Sequence, residues 1–300
     1  RQRLDRPFSD VLHRVDALLP HVLATASGVH GCGVSRGGRQ SDGANDFRIS
    51  YSLGGAVQND ILEPAVAVDP GGARWWVAFE GDVTSDPVHD PEIWMYGCTA
   101  DVPDALGTNI SVMGGGVDDG LSARNPDLAF VPGSGELMCV WDGVAAAGDR
   151  PQVYGQRLNV DGSKIGSMLA LSAGAGTLYG DLREAVQPQI AIDPVTDEWF
   201  VAWRGDLDDG LLQFDYEVWA RRFDDTGGAV DAAAFALSEM DPALDPVAGA
   251  GAPAVAVNAL HGYKLVVWSG DLDSSPGGEH EIYAQAWSDA GASPVDETPA

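Results

Sequence analysis

Pro188-Gln-Ile-Ala-Ile-Asp-Pro194 is the stretch that decides the fold, because its pattern recurs along the chain. A proline, one variable residue, an apolar residue, alanine and a second apolar residue also follow one another from Pro64, Pro126 and Pro253. These starts are 62, 62 and 65 residues apart. A fixed spacing of this size indicates a repeat architecture in which each unit packs on its neighbours.

Each copy continues with further short apolar runs. A second run occupies residues 75–79, 137–141, 199–203 and 265–268, and a third, with polar–apolar alternation, occupies 92–96, 152–156, 217–221 and 281–285. Weaker fourth runs cover 109–113, 167–172 and 233–238. Alternation of this kind is typical of half-buried strands. Four strands per repeat, separated by loops rich in Gly, Asp and Pro, predict an all-β fold of propeller blades.

The last copy stops after its third run, and the missing strand is sought at the other end of the chain. Residues 47–56 precede Pro64 much as 169–174 precede Pro188. We therefore predict a β-propeller-like domain over residues 47–300, with four blades and the N-terminal strand closing the last blade. Closure would remove exposed strand edges. An open stack of sheets, or part of a larger ring, is the alternative.

Residues 1–46 lie outside the repeat, and their sequence predicts an N-terminal helical arm and linker. Ser9 and Asp10 can cap a short helix that Pro20 ends, and residues 28–46 resemble a linker in composition. The arm either braces the propeller or docks onto another copy of the chain.

The charge balance restricts the partners. The chain has 17 Lys and Arg against 45 Asp and Glu, a formal net charge of −28. This surface repels phosphate backbones and anionic lipids, which argues against nucleic acid and membrane partners. No apolar run is long enough to span a membrane. The charge fits either a calcium-rich extracellular setting or a high-salt habitat.

Aspartates follow the second strand in a recurring arrangement. Gly205-Asp-Leu-Asp-Asp-Gly210 and the loop from Gly270 place carboxylates at alternate positions, and the loop from Gly81 is a looser version. Hard cations such as Ca²⁺ bind six to eight oxygens from loops of this kind. The predicted metal ligands are Asp82, Asp206, Asp208, Asp271 and Asp273. The alternative is solvated acidic loops whose side chains cap their own backbone.

Other conspicuous residues favour structural roles. Glu92, Glu217 and Glu281 open the third strand in three copies, with Gln152 in the fourth, and a repeated acid is expected to stabilise a turn rather than catalyse a reaction. Tryptophans at equivalent repeat positions predict core between blades, whereas two others are expected to be more exposed. The first group is Trp141, Trp203 and Trp268, and the second is Trp76 and Trp287.

Cysteines and histidines point to no catalytic or metal centre. Cys32, Cys98 and Cys139 lack the spacing of a zinc or redox site and permit at most one disulfide. The six histidines lie in no recognised hydrolase or metalloprotease motif.

The motifs Trp203-Arg-Gly-Asp206 and Glu281-Ile-Tyr-Ala-Gln285 resemble tandem repeats of bacterial secreted and RTX-type surface proteins. Gln156-Arg-Leu-Asn-Val-Asp-Gly162 and Arg221-Arg-Phe-Asp-Asp-Thr-Gly227 match the end of that repeat. The resemblance covers about residues 60–290. It implies a propeller-like fold, a secreted or cell-surface location and often adhesion, and it brings no catalytic residues.

We therefore expect a non-catalytic extracellular module for binding, adhesion or assembly. Its expected partners are a glycan or protein at the cell surface, or copies of itself joined through the N-terminal arm. The alternatives are a propeller-fold glycoside hydrolase, for which acidic residues are abundant but unspecific, and a structural subunit of an extracellular layer or filament.

Overall fold

The computed structural model describes the repeat region and three N-terminal strands. It covers residues 21–25, 28–32, 46–48, 61–71, 74–82, 90–99, 102–103, 107–111, 113, 120–173, 182–207, 216–238, 249–258, 262–271 and 280–288. The helix predicted over residues 9–20 lies outside this part. Within it, no helix has the length and apolar character that crossing a membrane requires.

The described residues form five antiparallel sheets, numbered here in chain order. Sheet one contains β1 (His21–Thr25), β2 (Gly28–Cys32) and β3 (Asp46–Arg48). Sheet two contains β4 (Ile61–Val68), β5 (Arg74–Gly81), β6 (Glu92–Thr99), β7 (Val102–Pro103) and β8 (Thr108–Asn109). Sheet three contains β9 (Ala123–Val131), β10 (Glu136–Gly143), β11 (Gln152–Leu158) and β12 (Lys164–Ala170).

The last two sheets continue the series. Sheet four contains β13 (Leu182–Ile192), β14 (Trp199–Leu207), β15 (Tyr216–Phe223) and β16 (Phe235–Ala236). Sheet five contains β17 (Gly249–Ala250), β18 (Ala254–Asn258), β19 (Tyr263–Asp271) and β20 (Glu281–Ser288). The four predicted repeats are therefore confirmed as sheets two to five of an all-β, propeller-like fold.

The strand register is the same in the repeats. Trp141 of β10 pairs with Tyr154 of β11, and Trp203 of β14 pairs with Trp219 of β15. Phe79 pairs with Trp94 in sheet two, and Trp268 pairs with Tyr283 in sheet five. The aromatic residue that ends each second apolar run is thus a fixed reference for comparing the sheets, and equivalent positions can be assigned from it.

The N-terminal strand does not complete the last blade, which corrects the prediction for residues 47 and 48. These residues belong to β3, which pairs with β2, while residues 49–56 lie outside the described part. The predicted linker is also replaced in part by a strand, since Gly28–Cys32 forms β2. The sheets therefore number five where four blades were predicted.

Sheet one has the register of a repeat. Phe47 pairs with Gly31 as Phe235 pairs with Ala220, and Arg48 pairs with His30 as Ala236 pairs with Trp219. On the other side of β2, Leu23 pairs with His30, where Trp203 pairs with Trp219 in sheet four. Strands β1, β2 and β3 are therefore equivalent to the second, third and fourth strands of a blade.

The sheets follow one another in space in the order of the chain. The first strands contact each other in sequence, β4 with β9, β9 with β13 and β13 with β18. The second and third strands of one sheet also contact the first strand of the next, as β5 and β6 contact β9 and β10 and β11 contact β13. Strands β1 and β2 contact β4 in the same way, so sheet one occupies the place of the preceding blade.

The hydrophobic core is divided among the interfaces between sheets. One buried cluster joins sheets two and three, a second joins three and four, and a third joins four and five. Trp141, Trp203 and Trp268 lie in these three clusters, which confirms that they are core residues. Trp76 and Trp287, predicted to be more exposed, are only 1% and 5% exposed because they lie in the same interfaces.

A buried hydrogen-bond unit explains the repeated polar residue at the start of the third strand. In sheet four, the Ser238 hydroxyl donates to the Glu217 carboxylate and accepts from the backbone N–H of Val218 at 2.7 Å. Ser111, Glu92 and Ile93 form the same unit in sheet two. Sheet three uses an amide: Ser172 donates to the Gln152 oxygen at 2.8 Å and accepts from Val153 at 3.0 Å.

These contacts confirm a structural role for the repeated polar residue in sheets two, three and four, whereas Glu281 of sheet five is exposed and accepts from the Tyr283 hydroxyl at 2.8 Å. The Ser–Glu and Ser–Gln units fasten the outer segment of a sheet to its third strand, so the acids act in structure. An acid also stabilises the turn after β15: Asp224 accepts from the N–H groups of Thr226 and Gly228 at 2.9 and 2.8 Å. Cys98 and Cys139 are both buried.

Candidate functional site

Three successive first strands carry the same unusual backbone conformation. Glu63, Asn125 and Gln187 have positive φ angles of 48°, 51° and 54°, and each directly precedes the proline of its repeat. The strand register shifts beside each of them, which marks a β-bulge. Left-handed backbone is unfavourable for residues other than glycine, and such strain clusters at functional sites. We call these three residues the bulge set.

Two of the three bulges are held by carboxylates from the preceding sheet. Glu80 of β5 accepts the backbone N–H of Asn125 at 2.7 Å, and Asp142 of β10 accepts the backbone N–H of Gln187 at 2.8 Å. Glu80 and Asp142 occupy the same repeat position, one residue after the reference aromatic. The Asn125 amide also donates to Asp142 at 2.8 Å. Hydrogen bonds therefore connect sheet two to the bulge at Asn125, and sheet three to the bulge at Gln187.

A further carboxylate links the first strands below the bulges. Asp127 of β9 accepts the backbone N–H of Ile190 of β13 at 2.8 Å and that of Leu128 at 2.9 Å. Burial raises the pKa of Asp127 to about 6, although both backbone hydrogen bonds oppose the shift. Glu80, Asp142 and Asp127 thus each accept a hydrogen bond from a backbone N–H of the next sheet.

Burial also dominates the electrostatics of the two bulge-holding acids. It raises the pKa of Asp142 to about 7, against the hydrogen bonds from Gln187 and Asn125, while the nearby Glu80 carboxylate adds to the rise. The pKa of Glu80 is raised by burial and, to a smaller degree, by the charge of Glu63. The Arg124 charge lowers the pKa of both acids.

Sheet four has a basic residue where sheets two and three have a bulge-holding acid. Arg204 of β14 stands at the repeat position of Glu80 and Asp142, and its guanidinium lies 3.6 Å from the centre of the Tyr216 ring. The charges of Glu184 and Asp206 act on it as well. At this repeat position sheet four therefore has a cation over an aromatic ring of its own neighbouring strand, where sheets two and three have a carboxylate on a bulge N–H.

The side chains of the bulge set are available for contact with a ligand. Glu63 is exposed, and Asn125 and Gln187 are half-buried. They supply a carboxylate and two amides, which offer both donors and acceptors. Because β4 contacts β9 and β9 contacts β13, these three polar side chains lie on first strands that are neighbours in space. The positive φ angles were not predicted from the sequence, although the Pro of each repeat marks the position.

The structure describes three of the five predicted metal ligands, and these three are not brought together. Asp82 and Asp206 are 1% and 2% exposed and lie in different sheets, and Asp271 ends β19. Asp208 and Asp273 lie outside the described residues. Within the part of the chain that the structure describes, no three His, Cys, Asp or Glu side chains are placed to hold a metal ion. Calcium binding by these loops stays a prediction.

We expect calcium to raise the melting temperature at fixed ionic strength if the aspartate loops bind it. A single site at a hundredfold excess over its Kd adds about 2.7 kcal/mol, which is a shift of a few degrees for a chain of this length. The increment between chelator and calcium should vanish in an Asp206→Asn, Asp271→Asn double variant. An equal melting temperature of the parent in calcium and in chelator would refute the calcium site and favour adaptation to high salt.

Solved structures show what fold the chain shares. The α-L-arabinofuranosidase from Lactobacillus brevis aligns with a TM-score of 0.51 at 13% identity, over 92% of each chain. A thermostable family-43 glycoside hydrolase gives 0.51 at 14% identity, over 92% of this chain and 91% of the other. Both are five-bladed β-propellers, in agreement with the five sheets described above.

A third structure aligns over a smaller part. The GH93 α-L-arabinofuranosidase of Fusarium graminearum, in complex with arabinobiose, gives a TM-score of 0.50 at 11% identity, over 75% of this chain and 61% of its own. No family model and no curated protein matches the sequence. At these identities the likeness establishes the β-propeller scaffold alone.

Proposed function

We propose that the chain is a non-catalytic binding module that recognises a neutral glycan through the bulge set. The observation that carries this proposal is the threefold occurrence of a strained, polar residue on adjacent first strands, two of which are held by a carboxylate of the preceding sheet. A repeated backbone geometry with a different side chain in each copy suits recognition of several hydroxyl groups of one ligand. A neutral ligand is favoured because Glu63 and the net charge of −28 repel anionic glycans.

The buried acids support binding over catalysis. A glycoside hydrolase needs one carboxylic acid and one carboxylate about 5 to 10 Å apart and facing the substrate. Glu80, Asp127 and Asp142 each accept a backbone N–H from the next sheet, which gives them a structural task. Glu80 and Asp142 also repeat, as structural residues do. We extend the proposal to a secreted or cell-surface location, which the acidic charge and the resemblance to bacterial surface repeats support.

The alternative of a glycoside hydrolase rests on one observation. Asp142 has its pKa raised to about 7, a value suited to a general acid near neutral pH, and Glu80 lies close enough to influence it. Incubation with arabino-, xylo- and gluco-oligosaccharides decides between the two functions. We expect no new reducing ends. Turnover that Asp142→Asn abolishes would show that the chain is an enzyme.

Glycine substitutions test the bulge set without disturbing the backbone. Because glycine adopts positive φ without strain, Glu63→Gly and Gln187→Gly each remove a side chain without straining the backbone, and Gln187→Gly keeps the N–H that Asp142 holds. We expect each to weaken binding of neutral oligosaccharides at least tenfold, measured by calorimetry after a glycan-array screen. The melting temperature should change by only a few degrees.

Asp225→Ala is the matched control, since Asp225 is an exposed acid in the turn between β15 and β16. It removes one negative charge, as Glu63→Gly does, at a site away from the bulges. Its affinity should equal that of the parent. Equal affinity in the two glycine variants and the parent would contradict the proposed site.

A further inference from the structure

Strand β20 is the third strand of sheet five, and the three preceding sheets add a further segment beside theirs. In sheets two, three and four, β8, β12 and β16 each pair with the third strand. Among the residues that the structure describes, β20 pairs with β19 alone. An unpaired strand edge presents backbone N–H and C=O groups that can bind another extended chain. We call the outer side of β20 the open edge.

The outer segments of the preceding sheets are held by one set of hydrogen bonds. In sheet four, the Leu237 N–H donates to the Val218 carbonyl at 2.7 Å, and the Ser238 hydroxyl accepts from the Val218 N–H at 2.7 Å. The same hydroxyl donates to the Glu217 carboxylate. Sheets two and three have the same apolar residue and serine, Ile110-Ser111 and Leu171-Ser172, whose apolar N–H groups donate to the carbonyls of Ile93 and Val153 at 2.7 and 2.9 Å.

Sheet five carries the same binding groups on the open edge. Glu281 and Ile282 occupy the positions of the acid and of the residue after it in sheet four, with the same register to the second strand. Because the register is the same, the N–H and C=O of Ile282 point to the outer side of β20. The Glu281 carboxylate is exposed and accepts from the Tyr283 hydroxyl at 2.8 Å, whereas Glu217 is buried. The open edge therefore has the groups that bind an apolar residue and a serine elsewhere.

A glutamine further along β20 indicates how long the added segment is. In sheet three, the Gln156 amide donates at 2.9 Å to the carbonyl of Ile165, seven residues before the serine. In sheet four, Arg221 at the same position donates at 3.2 Å to the carbonyl of Asp231, also seven residues before the serine. Gln285 occupies this position of β20, and its Oε1 atom is buried without a hydrogen-bond partner in the described part of the chain. A segment of about eight residues spans this distance in both sheets.

We propose that the open edge binds an extended segment of another polypeptide that ends in an apolar residue, alanine, leucine and serine. Leu169-Ala-Leu-Ser172 and Phe235-Ala-Leu-Ser238 are internal segments of this pattern, and they define the chemistry that fits. The segment adds a strand through backbone hydrogen bonds, and its serine supplies specificity by binding Glu281. A neutral or basic partner is favoured, because the chain has a net charge of −28. The proposal is independent of what the bulge set binds.

A peptide with the sequence of residues 165–172, blocked at both ends and carrying a fluorescent label, tests this by fluorescence anisotropy. We expect saturable binding. The same peptide with Ser172→Ala should bind at least tenfold more weakly, because Glu281 and the Ile282 N–H then lose a hydrogen-bond partner. In the protein, Glu281→Ala should weaken the serine peptide by a similar factor and leave the affinity for the alanine peptide unchanged.

Two further variants serve as controls. Glu281→Gln should keep the affinity for the serine peptide, since Gln152 accepts from Ser172 in sheet three at 2.8 Å. Asp225→Ala removes one exposed negative charge in sheet four and should bind both peptides as the parent does. No saturable binding at millimolar peptide, equal affinities for the serine and alanine peptides, or binding that survives Glu281→Ala would each overturn the proposal.

Light scattering of the protein without peptide separates a different partner from a second copy. We expect the parent to be monomeric. Self-association that Glu281→Ala abolishes would overturn the proposal of a separate partner and assign the open edge to another copy of this chain.

Discussion

Replacing Asp142 by Asn should stabilise the protein more at pH 8 than at pH 4.5. The folded protein raises the pKa of Asp142 from its ordinary value of 3.8 to about 7 through burial. Between these values the folded state holds a proton that the unfolded state has released, so stability falls as the pH rises through this window. A shift of this size corresponds to at most about 4 kcal/mol, since one pKa unit is about 1.36 kcal/mol.

Asparagine keeps the oxygen that accepts from Gln187 and from the Asn125 amide, and it cannot ionise. The difference in the free energy of unfolding between variant and parent should therefore grow in favour of the variant as the pH rises. Urea denaturation at pH 4.5, 6 and 8 and constant ionic strength measures it. Asp225→Asn, at an exposed position, should follow the parent at every pH. Parallel curves for Asp142→Asn and the parent would refute the buried titration.

Ser238→Ala should lower the free energy of unfolding by about 3 kcal/mol. The hydroxyl serves two buried partners at once, the Glu217 carboxylate and the N–H of Val218. Alanine leaves both without this partner, and each buried polar group that loses a hydrogen bond costs about 1–3 kcal/mol. Denaturant titration at neutral pH measures the loss, which should appear as a lower midpoint at an unchanged slope.

The chain itself provides the control for this experiment. Gln152 does in sheet three what Glu217 does in sheet four, accepting from Ser172 at 2.8 Å. Glu217→Gln should therefore be tolerated, with a change of less than about 1 kcal/mol, because the amide oxygen still accepts from Ser238. If Glu217→Gln were as damaging as Ser238→Ala, the unit would depend on the charge of the acid and not on the hydrogen bonds.

The repeat allowed the positions of the strands to be predicted, but it did not show which strands pair with one another. Proline and aromatic positions located the first three strands of sheets two to five, because burial on both faces demands the same residue types in each copy. Phe47-Arg-Ile-Ser50 resembles Phe235-Ala-Leu-Ser238, so its fourth-strand character was readable. The strand that pairs with this segment could not be predicted, because a pattern of residue types does not show which strand lies beside it. Sheet one was missed for this reason.

The candidate site was less accessible to sequence reasoning. Glu80 and Asp142 repeat only once, with Arg204 and Ser269 at the same position in later copies, and their partners lie 45 residues away in the chain. The left-handed conformation of Glu63 and Gln187 also has no local signal, because these residue types rarely adopt it, whereas Asn125 is of a type that adopts it more often. The hydrogen bonds that the preceding sheet supplies hold two of them there, and a long-range contact of this kind appears only in the structure.

The division of the core among successive interfaces has a consequence for how the chain reaches its fold. Each cluster joins two sheets that are neighbours in the sequence, so a newly formed sheet finds its partner already in place. Such contacts require only short loops to close, which favours ordered growth from one end during synthesis. At every stage the most recently formed sheet has one apolar face that no following sheet covers yet. The growing chain is therefore most prone to aggregate at its leading sheet, and this risk moves forward one repeat at a time.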